Sequence, residues 1–143
     1  HLDVIERAAA LFGVLTIAVA ESPRKQPFFT LEERLQIIRD SVADRDNIEV
    51  EAFDGLLVEY ARRKGVRVLV RGLRAIADFE FELQVALMNR KMRPEIESVF
   101  LMPKDEYSYL TSSSVREIES LAGPIAQFLP EPSVRAFARR RAT

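Results

Sequence analysis

The sequence predicts an α/β fold: a single domain built on one open parallel sheet with helices on its faces. Three observations predict it. Short apolar runs rich in β-branched residues alternate with helical patterns. The links between them are short. The runs are apolar on consecutive residues rather than alternating, which suits strands covered on both faces. Such an order argues for right-handed βαβ units.

Each element has its own justification. Leu2 to Phe12 carries Val4, Ile5, Ala8, Ala9, Leu11 and Phe12 on one broad helical face, and Gly13 follows as a helix stop. Val14 to Ala20, "VLTIAVA", reads as a strand. "ESPRKQPFF" is a loop with two prolines. Thr30 and Glu33 form a capping-box pattern that opens a helix carrying Leu31, Leu35, Ile37 and Ile38. Ile48 to Ala52 reads as a strand, Leu56 to Lys64 as a helix ended by Gly65, and Val66 to Val70 as the next strand. Ile76 to Met92 is a long helix, and Ile96 to Met102 a strand stopped by Pro103. Ser114 and Glu117 form a second capping-box pattern, ahead of a helix ending near Gly123. Pro132 to Arg141 is a last helix, whose "RRR" reads as a solvated, frayed end.

Length and composition bound the answer. A chain of 143 residues suits one domain, and buries roughly 68–70% of its unfolded surface. Net charge is −1, so nothing draws the whole molecule to nucleic acid or to an anionic membrane. The absence of cysteine excludes disulfides, thiolate zinc sites and cysteine nucleophiles, and fits a reducing cytoplasm. No apolar run reaches the roughly 18–20 residues of a membrane span. The chain starts at His1, directly ahead of a helical pattern, and so reads as lacking an N-terminal piece.

In open α/β sheets ligands bind where strands end and helices begin. Three polar stretches fall there: Arg24 and Lys25, then Arg71 and Arg74, then "YSYLTSSSVRE" from Tyr107 to Glu117. The last offers four successive hydroxyls, Thr111 to Ser114, at a helix start. There unpaired N–H groups and a partial positive charge favour phosphate. One hydroxyl suffices for the cap, which Ser114 can supply, and Thr111, Ser112 and Ser113 are left to face a ligand. The alternative is a merely polar loop. Gly72 lets backbone approach a ligand closely. Arg71 and Arg74 carry forks suited to phosphate oxygens, or else pair with Asp78 and Glu82. His1, the only histidine, is either a surface residue or part of this ligand edge. Phe79, Leu83, Met88 and Met92 read as core, and the excess apolar width of "FELQVALMN" as a subunit interface.

Taken together, "ESPRKQPFFTLEER", "VRGLRAIADFEFELQVALMNRKM" and "ESVFLMPKDEYSYLTSSSVRE" closely resemble the bacterial phosphopantetheine adenylyltransferases, over essentially the whole chain. The resemblance implies a Rossmann-like fold of the nucleotidyltransferase superfamily. It implies transfer of AMP from ATP to 4′-phosphopantetheine, giving dephospho-coenzyme A and pyrophosphate. It also implies Mg²⁺, a homohexamer, and coenzyme A as a feedback inhibitor. His1 matches the last residue of the family's T/H-x-G-H motif, which contacts ATP and stabilises the transition state. Lys25 matches a lysine on the substrate phosphates, Leu57 a contact to the pantetheine arm, and Arg71 the arginine on the phosphopantetheine phosphate. Gly72, Leu73 and Arg74 match an ATP-binding turn, and Glu82 a further nucleotide contact. Tyr107, Ser108, Tyr109, Leu110, Thr111, Ser112 and Ser113 match the serine-rich nucleotide loop. No residue matches as a protein ligand to metal. The family carries a strand and a "GTFDP"-like turn ahead of this histidine, and the sequence starts after both, so residues 1–143 read as one nucleotidyltransferase domain without its first strand.

Two rivals fit the pattern less well. A cytidylyltransferase or nicotinamide-mononucleotide adenylyltransferase would share the fold and the histidine but not the arm-binding set. A flavodoxin-like regulatory domain would want aspartates clustered at strand ends, whereas Ala20, Val70 and Met102 lead into basic or hydroxylic loops.

Overall fold

Helix and strand alternate along the chain: α1 (Leu2–Leu11), β1 (Leu15–Ala20), α2 (Leu31–Ser41), β2 (Ile48–Phe53), α3 (Leu57–Arg63), β3 (Val68–Gly72), α4 (Ile76–Met92), β4 (Glu97–Leu101), α5 (Ser112–Ser120) and α6 (Glu131–Arg141). The structure is a computed structural model and describes residues 1–21 and 27–141. Lys25 and Arg24, both singled out in the sequence, lie outside the described residues.

All strand pairing is parallel. β1 pairs with β2 from Leu15↔Ile48 to Ala20↔Phe53, and β3 with β4 from Val68↔Glu97 to Gly72↔Leu101. The α/β class is as the sequence reads it, but the hydrogen-bond ladder runs in two separate pairs, not in one continuous sheet. A ladder needs strands about 4.8 Å apart, and among the described residues no such pairing joins β1 to β3.

The local causes are legible. The Thr30 side chain accepts from the Glu33 N–H, and the Glu33 carboxylate accepts from the Thr30 N–H at 2.7 Å, completing the capping box of α2. Gly65 ends α3 with φ of +70°, a left-handed conformation that costs a side chain with Cβ about 1–2 kcal/mol. At the end of α5 the left-handed residue is Ala122, φ 57°, rather than Gly123. The Gly123 N–H reaches the Ile118 carbonyl at 2.8 Å and the Ala122 N–H the Glu119 carbonyl at 2.9 Å, a Schellman closure.

Among the described residues two apolar clusters hold the fold. Val58 and Ala61 of α3 pack with Leu69 of β3 and with Ile96, joined by Leu57 and Val66. Each of Val58, Leu69 and Ile96 contributes about 1.5–3 kcal/mol by leaving water. The second cluster joins Val115 of α5, Ile125 and Phe137 of α6 to Phe28 and Phe29. Arg140 lies 4.7 Å over the Phe28 ring and bonds the Glu33 carboxylate at 3.2 Å, and Arg141 bonds Glu119. The end is exposed, as the sequence suggests, but the helix runs on to Arg141, and Arg140 and Arg141 tie α6 to α2 and α5. The core reading of α4 is corrected. Phe79, Leu83, Met88 and Met92 are exposed, Met88 by 64%, because α4 is apolar on more than one face and the chain covers only part of it.

Candidate active site

β3 runs two residues further than its sequence suggests, so Arg71 and Gly72 stand within the strand, in register with Phe100 and Leu101 of β4. This corrects their expected place past the strand end. Leu73 still bonds the Leu101 carbonyl through its N–H at 3.0 Å, and Arg74 is the first side chain free of the ladder.

Arg71 donates to both oxygens of Glu82 on α4, Nε at 2.8 Å and Nη2 at 2.7 Å. This is the bidentate fork-on-carboxylate geometry. The bond to Glu82 raises the guanidinium pKa above its ordinary value, against the opposing effect of burial. The pairing takes two of the five N–H donors of Arg71 and fixes the plane of the rest. Arg74 bonds the Asp78 carboxylate at 3.3 Å. The ion pairs that stood as alternatives to phosphate contacts are thus formed.

Arg74 does more than pair. Its Nη1 donates at 2.9 Å to the carbonyl of Leu110. That bond fastens the turn after β3 to the hydroxyl-rich segment. There Thr111, not Ser114, is the N-cap: the Thr111 Oγ1 accepts from the Ser114 N–H at 3.1 Å, and the two hydroxyls lie 2.8 Å apart. The helix starts at Ser112 because Val115 and Ile118 must face the second cluster. Ser112 and Ser113 are exposed at its first turn, Tyr107 and Tyr109 stand exposed before it, and Ser108 bonds back to the Asp105 carbonyl at 2.7 Å.

His1 is the N-cap residue of α1 and is exposed, with no side-chain capping bond. Val4, in the same helical turn, packs on Gly72, where an added Cβ would meet the Val4 Cγ2 at 3.2 Å. The close approach at Gly72 is thus made by a side chain of α1. Leu57 opens α3 beyond the end of β2, partly buried on the first cluster. The structure brings His1, Gly72, Arg74 and the Leu110–Ser113 segment together, with Arg71 and Glu82 on the adjoining strand and helix.

Two residues escaped the sequence reading. Arg34 of α2 donates to the carbonyls of Ala20 at 2.8 Å and Glu21 at 3.2 Å, holding the end of β1, and its Nε is buried with no partner among the described residues. Asp3, 9% exposed, accepts from Arg7 and from the Lys104 N–H. Neither partner of these two is near in sequence except Arg7, so local pattern gave no signal beyond an acid in a first helical turn. A cleft of about 780 Å³ lies between α2 and α6, lined by Glu32, Glu33, Gln36, Ile37, Ala136, Arg139 and Arg140. It holds none of the residues read for the site.

The sequence matches the cytidylyltransferase-like family over residues 1–118. The phosphopantetheine adenylyltransferase of Alkaliphilus metalliredigens is 46% identical over 140 residues, which cover 98% of this chain and 89% of that protein. That of Alkalilimnicola ehrlichii is 48% identical over 142 residues, 98% of this chain and 82% of the other. The chain belongs to the phosphopantetheine adenylyltransferase family. A third member, from Carboxydothermus hydrogenoformans, is 49% identical over 131 residues, 92% of this chain and 81% of that protein. Membership bears out the resemblance read from the sequence motifs and removes the flavodoxin-like regulatory reading.

Proposed function

We propose that this chain transfers AMP from ATP to 4′-phosphopantetheine, giving dephospho-coenzyme A and pyrophosphate. The observation that carries the reading is identity of 46–49% to phosphopantetheine adenylyltransferases across nearly the whole chain. The bond from Arg74 to the Leu110 carbonyl supports it, because it joins two of the segments the reaction needs.

The reaction is an in-line displacement. A phosphate oxygen of phosphopantetheine bonds to the α-phosphorus of ATP as the bond from that phosphorus to the bridging oxygen breaks, and pyrophosphate leaves. The attacking oxygen is already ionised near neutral pH, so no general base is needed. Positioning and charge stabilisation remain for the protein to supply. Arg71 and Lys25 take the phosphopantetheine phosphate, with Leu57 beside the pantetheine arm. His1, Gly72, Leu73, Arg74, Glu82 and Tyr107–Ser113 take ATP, with the exposed first turn of α5 turned to phosphate oxygens. His1 and Arg74 oppose the charge that grows on the leaving pyrophosphate.

Mg²⁺ accompanies the nucleotide. This ion keeps several waters and binds substrate phosphates through few protein groups. Bound with ATP, it would offset charge on the phosphates while asking for few protein groups. The reading extends to a cytoplasmic homohexamer with coenzyme A as feedback inhibitor. The cysteine-free composition suits a reducing compartment, and among the described residues no helix is long and apolar enough to cross a membrane. The exposed Phe81, Leu87 and Met88 of α4 give subunits an apolar face to bury.

Pyrophosphate release is the test. The protein mixed with ATP, Mg²⁺ and 4′-phosphopantetheine is expected to release one pyrophosphate per dephospho-coenzyme A formed. Release with cytidine triphosphate or nicotinamide mononucleotide in place of these substrates, and none with them, would overturn the reading.

A further inference from the structure

We propose that Asp3 is a positioning residue for the nucleotide: it sets the loop that leads into Tyr107–Ser113 at a fixed distance from the helix that carries His1. The inference rests on the adenylyl-transfer reading above. Asp3 is the charged side chain that the fold buries among the described residues, with 9% exposure. A carboxylate is not buried without compensation. Here one oxygen, Oδ2, accepts both bonds, from Arg7 Nε at 2.9 Å and from the Lys104 N–H at 3.0 Å. The first bond stays within α1. The second crosses 101 residues of sequence to the first residue after Pro103, where β4 has ended.

The surroundings explain what that bond is for. Residues 104–111 are held at their start by Asp3 and near their end by Arg74, through the Leu110 carbonyl. Tyr107, Ser108 and Tyr109 lie between the two anchors. The same turn of α1 places Val4 on Gly72 and carries His1 at its cap. One helical turn thus ties the end of β3, the loop after β4 and the candidate transition-state residue into one body. Burial raises the Asp3 pKa, and the bonds from Arg7 and Lys104 outweigh it, holding the carboxyl below its ordinary value and ionised at neutral pH. Rigid support of this kind matters because small misplacements of a reacting pair cost rate steeply.

The chemistry supplies its own controls. Both bonds reach a single oxygen, so Asp3→Asn keeps them if its amide oxygen takes that place, whereas Asp3→Ala loses both. Lys104 has φ of −59° and ψ of 148°, angles that proline adopts without strain. Lys104→Pro therefore deletes the N–H donor and leaves Asp3 paired with Arg7, and Lys104→Ala controls for the lost side chain. In the intact enzyme, steady-state kinetics and ATP binding by calorimetry are read beside the melting temperature. Asp3→Ala and Lys104→Pro are expected to raise the KM and Kd for ATP about tenfold, with the KM for phosphopantetheine within threefold of the parent. Asp3→Asn and Lys104→Ala are expected to stay within threefold for both substrates. A Lys104→Pro protein that folds and binds ATP like Lys104→Ala overturns the inference, as does equal weakening toward both substrates. A parent that binds ATP yet releases no pyrophosphate with phosphopantetheine removes the proposed activity alone, since the calorimetric comparison still reads the role of Asp3.

Discussion

Replacing Arg71 by alanine separates what this arginine does for the fold from what it does for a substrate. Its fork holds Glu82 at 2.8 and 2.7 Å, and Glu82 is 12% exposed. Arg71→Ala leaves that carboxylate without its partner, a penalty of about 1–3 kcal/mol. At this chain length the penalty lowers the melting temperature by about 2–4 °C per kcal/mol. A second loss belongs to binding. The remaining donors of Arg71 are assigned to the phosphopantetheine phosphate, and a charge-assisted hydrogen bond contributes about 2 kcal/mol, roughly 30-fold in Kd. The two losses are distinguished by adding Glu82→Gln, which removes the stranded charge. Arg71→Ala/Glu82→Gln is expected to regain much of the melting temperature and none of the substrate affinity. Calorimetric titration with 4′-phosphopantetheine reads the second quantity directly. An unchanged Kd in Arg71→Ala, with a lowered melting temperature, would mean that Arg71 serves Glu82 and nothing else, and the phosphate assignment would be wrong.

Three further outcomes follow from the geometry. Thr111→Ala removes the oxygen that caps Ser114 N–H, and should lower the urea midpoint by about 1 kcal/mol of stability with an unchanged slope. Ala122→Gly relieves a left-handed alanine in the Schellman closure after α5, and should stabilise the protein by about 0.5–1 kcal/mol in the same assay. Tyr60 is buried and donates to Glu51 at 2.7 Å, and burial first, then Glu51, pushes its pKa up to about 12. An unfolded tyrosine titrates near 10, so this contribution is whole below pH 10 and is lost as pH rises through about 12. Tyr60→Phe should show a shallower fall of unfolding free energy across that window than the parent, and an equal fall would refute the assignment.

How much of this was legible depends on how far apart the partners lie. The bounds of α4 match the sequence reading at both ends, and Gly65 closes α3 in the left-handed conformation its type suggests. The capping box of Thr30 and Glu33 spans three residues and was visible in full. The end of β3 was not, because Arg71 and Gly72 become strand only by pairing with Phe100 and Leu101. Four hydroxyls in a row leave the cap of α5 ambiguous until Val115 and Ile118 find the second cluster. The arginines of α6 find Glu33 and Glu119, which no local pattern could name. The same holds for Arg71 and Arg74: sequence offered both ion pairs and phosphate contacts, and the fold forms the pairs.

That coexistence carries a physical consequence. A cation left bare at a strand end would have to be desolvated when ligand arrives, and would wander among rotamers before it. Glu82 and Asp78 pair with Arg71 and Arg74 at distances of 2.7 to 3.3 Å, while each guanidinium keeps donors to spare. The carboxylates weaken the positive field that draws phosphate, yet they remove the entropy of ordering two long side chains at the moment of binding. Arg74 then spends one spare donor on the Leu110 carbonyl, so its orientation and that of the nucleotide segment are fixed together. On the proposed assignment, such a rim would bind through geometry set during folding rather than through an excess of charge, in keeping with a net charge of −1.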